Sequence, residues 1–106
     1  MAKYVLMYSG GGMPESEEEQ AKVMAAWGAW YGKLGAAVSD PGDPFSGNAM
    51  KIGSDGAVSD AAKSTNASGY TVIEADSMES AVKMAKGCPI LTDGGQIMVH
   101  ETMPMM

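Results

Sequence analysis

His100 is the only histidine in the chain. It is also the one side chain whose ordinary titration falls between pH 5 and 8, which suits it to general acid–base work. It lies in Gln96 to Met103 (QIMVHETM), where Ile97 and Val99 alternate with Met98 and His100. In an extended strand, that alternation sends His100 to the face opposite Ile97 and Val99. Glu74 and Tyr70 share one face of a second predicted strand, Gly69 to Ala75 (GYTVIEA). A common sheet face would therefore gather a carboxylate, a phenol and an imidazole. His100, Glu74 and Tyr70 are the candidate catalytic set, and an ordinary polar patch at a subunit interface is the plainer reading of the same three residues.

Other reactive types are less promising. Cys88 is the single cysteine, so no internal disulfide can form. It precedes Pro89 with no His, Lys or Asp directly beside it, and reads as a small, semi-buried, reduced side chain. One His and one distant Cys make no structural zinc site. Ser9-Gly10-Gly11-Gly12 stands between a strand and a helix, where phosphate-cradling loops occur. Its spacing fits no nucleotide fingerprint, and Glu15, Glu17, Glu18 and Glu19 would repel an anion at that helix end. A plain turn is the better reading. The residues call for no cofactor and no metal.

Composition narrows the partners. The 106 residues carry 7 Lys, no Arg and a net charge of -6. Without the bidentate guanidinium fork, an acidic chain is poorly suited to nucleic acid, anionic membrane or phosphorylated substrates. The opening residues lack a signal-peptide core, and no run reaches the ~20 apolar residues of a membrane span. The expectation is a cytoplasmic protein that binds neither nucleic acid nor membrane. The 11 Met read as flexible core filler.

These residues need elements to position them, and the length suits one domain, 1–106. Lys3 to Tyr8 (KYVLMY) is a nearly continuous apolar run and reads as a central strand. Ser16 with Glu19 has the spacing of a helix-capping box. Val23, Met24, Trp27, Trp30, Tyr31, Leu34 and Val38 then follow at three- and four-residue steps, as one buried helical stripe. Core packing is the expected role of its aromatic residues. Asp40-Pro41-Gly42-Asp43-Pro44 stops the helix. Ala49 to Gly53 reads as a short strand, with Asp55-Gly56 turning it back along Ala57 to Ser59. Asp60 to Ser68 reads as a loop. After the strand Gly69 to Ala75, Asp76 or Ser77 caps a second helix with Met78, Ala81, Val82 and Ala85 inward. The order is that of a ferredoxin-like βαββαβ plait. This is an α+β fold with a four-stranded antiparallel sheet and both helices on one face.

The series of segments resembles the YCII-related family, including its DGPF-domain branch. The resemblance runs through KYVLMY at 3–8, MPESEEE at 13–19, AAWGAWYGKLGAAVSDPGDP at 25–44, SDGAVSD at 54–60, GYTVIEADS at 69–77, AKGCP at 85–89 and IMVHE in the last strand. It implies a dimeric α+β barrel in which two sheets enclose a shared cavity, and it implies no settled reaction. Two departures stand out. The motif that names the DGPF branch is replaced by Asp55-Gly56-Ala57-Val58, or loosely by Ser59-Asp60-Ala61. The helical His of the YCII branch, which pairs with an Asp there, has no counterpart between Pro14 and Val38.

The expected partner is a second copy of the chain, because the sheet face away from the helices is too apolar to stay wet. The expected function is a cofactor-independent small-molecule enzyme or ligand binder using the cavity between the sheets of that homodimer. The alternative is a non-catalytic accessory or interaction domain whose sheet face serves only assembly.

Overall fold

A computed structural model describes residues 1–11, 14–61 and 67–104. Gly12 and Met13, and 62–66 of the expected loop 60–68, lie outside the described residues. The chain runs β1 (Ala2–Ser9), α1 (Glu17–Leu34), a 3₁₀ turn (Gly35–Ala37), β2 (Val38–Asp40), β3 (Met50–Ile52), β4 (Val58–Asp60), β5 (Ala67–Ala75), α2 (Met78–Ala85), a second 3₁₀ turn (Pro89–Asp93) and β6 (Gln96–Glu101). The main sheet has the order β2-β5-β1-β6, and its pairs are antiparallel. β1 and β5 are central, as their apolar runs predict. This is the ferredoxin-like α+β arrangement.

The second sheet strand is not where the sequence reading puts it. Ala49 to Gly53 supplies β3, which pairs only with β4 in a separate hairpin. The sheet position is taken by Val38–Asp40, directly after the helix. Gly35 is the reason: it takes a left-handed φ of 56° and its N–H closes on the Tyr31 carbonyl, ending α1 before Val38. Val38 keeps the helical spacing on paper but lies opposite Ile73 in the sheet. The Asp55-Gly56 turn does form, with Gly56 at φ 87° and the Asp55 carboxylate accepting from the Ala57 N–H at 2.9 Å.

Local signals work well elsewhere. The Ser16 hydroxyl accepts from the Glu19 N–H at 3.1 Å, and Ser77, rather than Asp76, caps α2 through the Ser80 N–H at 3.1 Å. Tyr4, Leu6 and Tyr8 of β1 and Thr71, Ile73 and Ala75 of β5 form the floor of the core. Trp30, Ala81, Ala85, Cys88 and Ile90 cover it from above. The Trp30 indole N–H donates to the Met84 carbonyl at 3.0 Å and ties α1 to the end of α2. Met78, expected inward, is exposed at the first turn of α2, and Ala81 and Ala85 are the buried residues of that helix.

The α1 stripe is the main departure. Trp30 alone is fully buried on that helix, Trp27, Tyr31 and Leu34 are half-buried, and Met24 is 63% exposed. The molecule is thin and wide, with extents of 44 × 41 × 18 Å and a radius of gyration of 15.3 Å. A compact chain of this length would have about 13 Å. The β3–β4 hairpin contributes to this spread: Ile52 is 71% and Val58 59% exposed. Space beside α1 is therefore left unfilled.

Candidate functional site

That space is a pocket of ≈ 440 Å³ on the helix side of the sheet. The end of β1 supplies Tyr8 to its floor, and α1 supplies Val23, Met24, Trp27 and Tyr31 to one wall. Pro41 to Pro44 and the first residues of β5 form the opposite wall, and Ile90 and Asp93 close one end.

The far wall depends on two glycines. Gly42 sits at φ 69°, so close to β5 that a Cβ there would lie 1.8 Å from the Tyr70 carbonyl oxygen. Gly69 faces the loop in turn, with Pro44 Cα 3.2 Å from where its Cβ would be. The Gly42 N–H donates to the Asp40 carboxylate at 2.9 Å, and the Phe45 N–H donates to the Ser68 carbonyl at 2.8 Å. Gly10 and Gly11, read as a plain turn, also take left-handed φ values of 71° and 70° and line the pocket.

A closed hydroxyl network underlies the aromatic floor. The Tyr8 hydroxyl donates to Thr71 Oγ1 at 2.6 Å, and Thr71 donates to the Pro41 carbonyl at 2.9 Å. The Tyr31 hydroxyl donates to that same carbonyl at 3.0 Å and lies 3.3 Å from Thr71 Oγ1. Both lone pairs of the Pro41 oxygen are thereby used, which fixes the loop to the sheet. Trp27 stacks edge-on to Tyr8 at 5.4 Å and packs against Trp30 at 5.8 Å. At the rim, Tyr70 stacks with Phe45 at 6.0 Å, and its hydroxyl donates to Asp40 at 3.5 Å.

The electrostatics keep these groups protonated. Burial drives the Tyr8 hydroxyl far above the ordinary tyrosine range, with the Thr71 hydrogen bond opposing it only partly. Tyr31 is raised mainly by burial, with Asp43 adding to it. Tyr70 is raised first by the Asp40 carboxylate, then by burial and by Asp43. Cys88 beneath them is fully buried, and burial pushes its thiol up against smaller opposing effects from the Ile90 backbone and Tyr8. It is a packed thiol rather than a ready nucleophile. Ser68 Oγ, in the pocket wall, is buried without a hydrogen-bond partner among the described residues.

The residues singled out from sequence lie largely elsewhere. His100 is on the face away from the helices, as the alternation requires, and is exposed. It sits opposite Val5 of β1, while Glu74 sits opposite Lys3 and Tyr70 opposite Met7. The three share a face, but β1 runs between His100 and the other two. Two strand spacings come to about 10 Å, too far for a direct hydrogen bond within one chain. Tyr70 alone of the set reaches the pocket, at its rim. Tyr8, Trp27 and Tyr31 were visible in sequence as core residues, and nothing in their spacing marked them as a wall. Among the described residues no cluster of His, Cys, Asp and Glu could hold a metal ion. No helix among them is long and apolar enough to cross a membrane.

The class defined by fold and site is a ferredoxin-like α+β domain with an aromatic pocket between its first helix and its sheet. No known protein-family profile and no curated protein sequence matches the chain. Among solved structures it is similar to 5-chloro-2-hydroxyhydroquinone dehydrochlorinase (TftG) from Burkholderia phenoliruptrix AC1100, solved in complex with 2,5-dihydroxybenzoquinone. The TM-score is 0.55 at 19% identity, covering 94% of this chain and 93% of the other. A likeness at that identity is one of fold.

Proposed function

We propose that this protein is a small-molecule enzyme or ligand binder that uses the pocket beside α1. The observation that carries the reading is the ≈ 440 Å³ volume lined by Tyr8, Trp27, Tyr31 and Ile90. Its size falls in the range of ligand pockets, and its apolar walls suit a small planar ring. The structurally similar dehydrochlorinase holds a six-membered quinone, a ligand of that size and shape. Membership of the YCII-related family is part of the proposal, supported by the order of sequence segments together with this likeness of fold.

A second reading uses the other side of the sheet. Val5, Met7 and Val72 are half-buried there, and Met98 is 63% exposed. A second copy covering that face would form a homodimer and shelter His100, Glu74 and Tyr70 between the sheets. If that space were filled by side chains, the sheet face would serve assembly alone.

One experiment separates the two. A panel of small hydroquinones, benzylamines and benzoates is titrated while the backbone and indole NMR signals are followed. The pocket reading expects hits to shift the Trp27 indole, and Trp27→Phe to weaken them. Shifts confined to His100 and Met98 would transfer the site to the sheet face, and the absence of any hit across the panel would remove the ligand-binding reading.

A further inference from the structure

We propose that the pocket takes a cationic ligand, an ammonium or comparable cation carried on a compact apolar body. This rests on the pocket being the ligand site, and deepens that reading by naming the class of molecule.

The charged side chains that line the pocket, among the described residues, are Asp43 and Asp93, both exposed at its edge. No Lys or His lines it among those residues, and the chain has no Arg. Neither carboxylate is held in a hydrogen bond or ion pair among the described residues, so both are available to a ligand.

The phenol donors that an anion could use are already engaged, and Ser68 Oγ is the lining hydroxyl left without a partner among the described residues. Of the three tyrosines lining the pocket, Tyr8 donates to Thr71, Tyr31 to the Pro41 carbonyl and Tyr70 to Asp40. Turning Tyr8 or Tyr31 toward an anionic guest would remove a bond from the network that holds the Pro41 loop to the sheet. What the site offers instead is ring surface and free carboxylate. Tyr8, Trp27 and Tyr31 carry the π quadrupoles that attract a cation, most strongly where water is thinned. The Asp43 carboxylate acts on this ring set and on its rim, since it adds to the upward shift of Tyr31 and of Tyr70 at the rim. An apolar body would occupy the volume between Val23, Trp27 and Ile90, and the charge would face the rim.

The test uses three probes of one shape, benzylammonium, benzyl alcohol and benzoate, titrated into the full chain at low salt with the Trp27 indole as reporter. Benzylammonium is expected to bind about tenfold more tightly than benzyl alcohol, and benzoate more weakly than either. Asp93→Asn and, independently, Asp43→Asn should each weaken benzylammonium about threefold while leaving benzyl alcohol unchanged. Raising the salt should erode the same preference. Two variants are used because Asp43 adjoins Pro44 and the loop that shapes the pocket, whereas Asp93 lies on a different segment. Benzyl alcohol binding as well as benzylammonium, or benzoate binding best, overturns the charge preference and leaves the pocket reading standing. If none of the three perturbs Trp27, both fall.

Discussion

Thr71 is the residue on which the pocket's far wall and floor converge, and replacing it tests the network directly. It is fully buried, and its hydroxyl accepts from Tyr8 at 2.6 Å while donating to the Pro41 carbonyl at 2.9 Å. Thr71→Val keeps the shape and removes both bonds. Pro41 retains Tyr31 as a donor at 3.0 Å, so its carbonyl is not orphaned. Tyr8 is 5% exposed, and its hydroxyl is left buried without that acceptor. A stranded buried donor costs about 1–3 kcal/mol, so the expected loss is about 2 kcal/mol, or about 8 °C in Tm for a chain of this length. Tyr8→Phe removes the donor itself and should cost only about 1 kcal/mol, because Thr71 still donates to Pro41. In the Tyr8→Phe background, Thr71→Val strands nothing on Tyr8. The double variant should therefore lose about 2 kcal/mol rather than the roughly 3 of two independent changes. Equilibrium urea unfolding followed by tryptophan fluorescence gives all four corners of the cycle. A Thr71→Val variant within about 0.5 kcal/mol of the parent would refute the reasoning, as would single losses that simply add.

The loop against β5 gives a second test. Gly42→Ala must shift the chain, because the new Cβ would fall 1.8 Å from a backbone oxygen at a φ of 69°. A loss of more than about 1 kcal/mol is expected from the left-handed φ alone, with displaced resonances for Tyr70 and Trp27, and an unchanged Tm would contradict the close approach. The third concerns alkaline pH. Cys88, Tyr8 and Tyr31 are all held above their ordinary values of 9.0 and 10.0 in the fold. Their contribution to stability is complete below those values and is lost as pH rises past them, because the unfolded chain gives up its protons first. Stability measured by urea midpoint should fall from about pH 9 upward. Tyr8→Phe should flatten the part of that fall above about pH 10, and a stability that is level or rising to pH 11 would count against the buried, neutral network.

What the sequence reveals and what it hides follow from the range of each interaction. Ser16 and Ser77 cap helices through N–H groups three residues away, so short spacing suffices to find them. The central strands are legible because a strand covered on both sides must be apolar along its length. Val38 is not legible as a strand, since it repeats the helix period past the residue that ends the helix. The Gly35 after Lys33-Leu34 is the sign that was available, as a glycine that closes the last turn. The pocket is harder still. A stripe of Val23, Met24, Trp27 and Tyr31 looks the same in sequence whether a sheet covers all of it or half. Which case holds depends on tertiary placement, here on a Pro41 to Pro44 loop that lies against β5 through Gly42 and Gly69 and lines the pocket opposite α1. No local pattern carries that information.

The two faces of the sheet divide the chemistry between them. On the helix side the Tyr8 and Tyr31 phenols are raised and bonded into the network around Thr71 and Pro41, so at neutral pH they can shape a guest and hold it but cannot take its proton. The only imidazole stands on the other side, next to Val5 and away from the pocket. The pocket of the proposed function is lined by residues of a single chain. General acid–base work through His100 would need the open face enclosed, because an exposed histidine has neither a fixed substrate nor excluded water. Any reaction confined to the helix side would have to rely on what remains there: free carboxylates at the rim, Asp43 and Asp93, beside a ring-lined cavity.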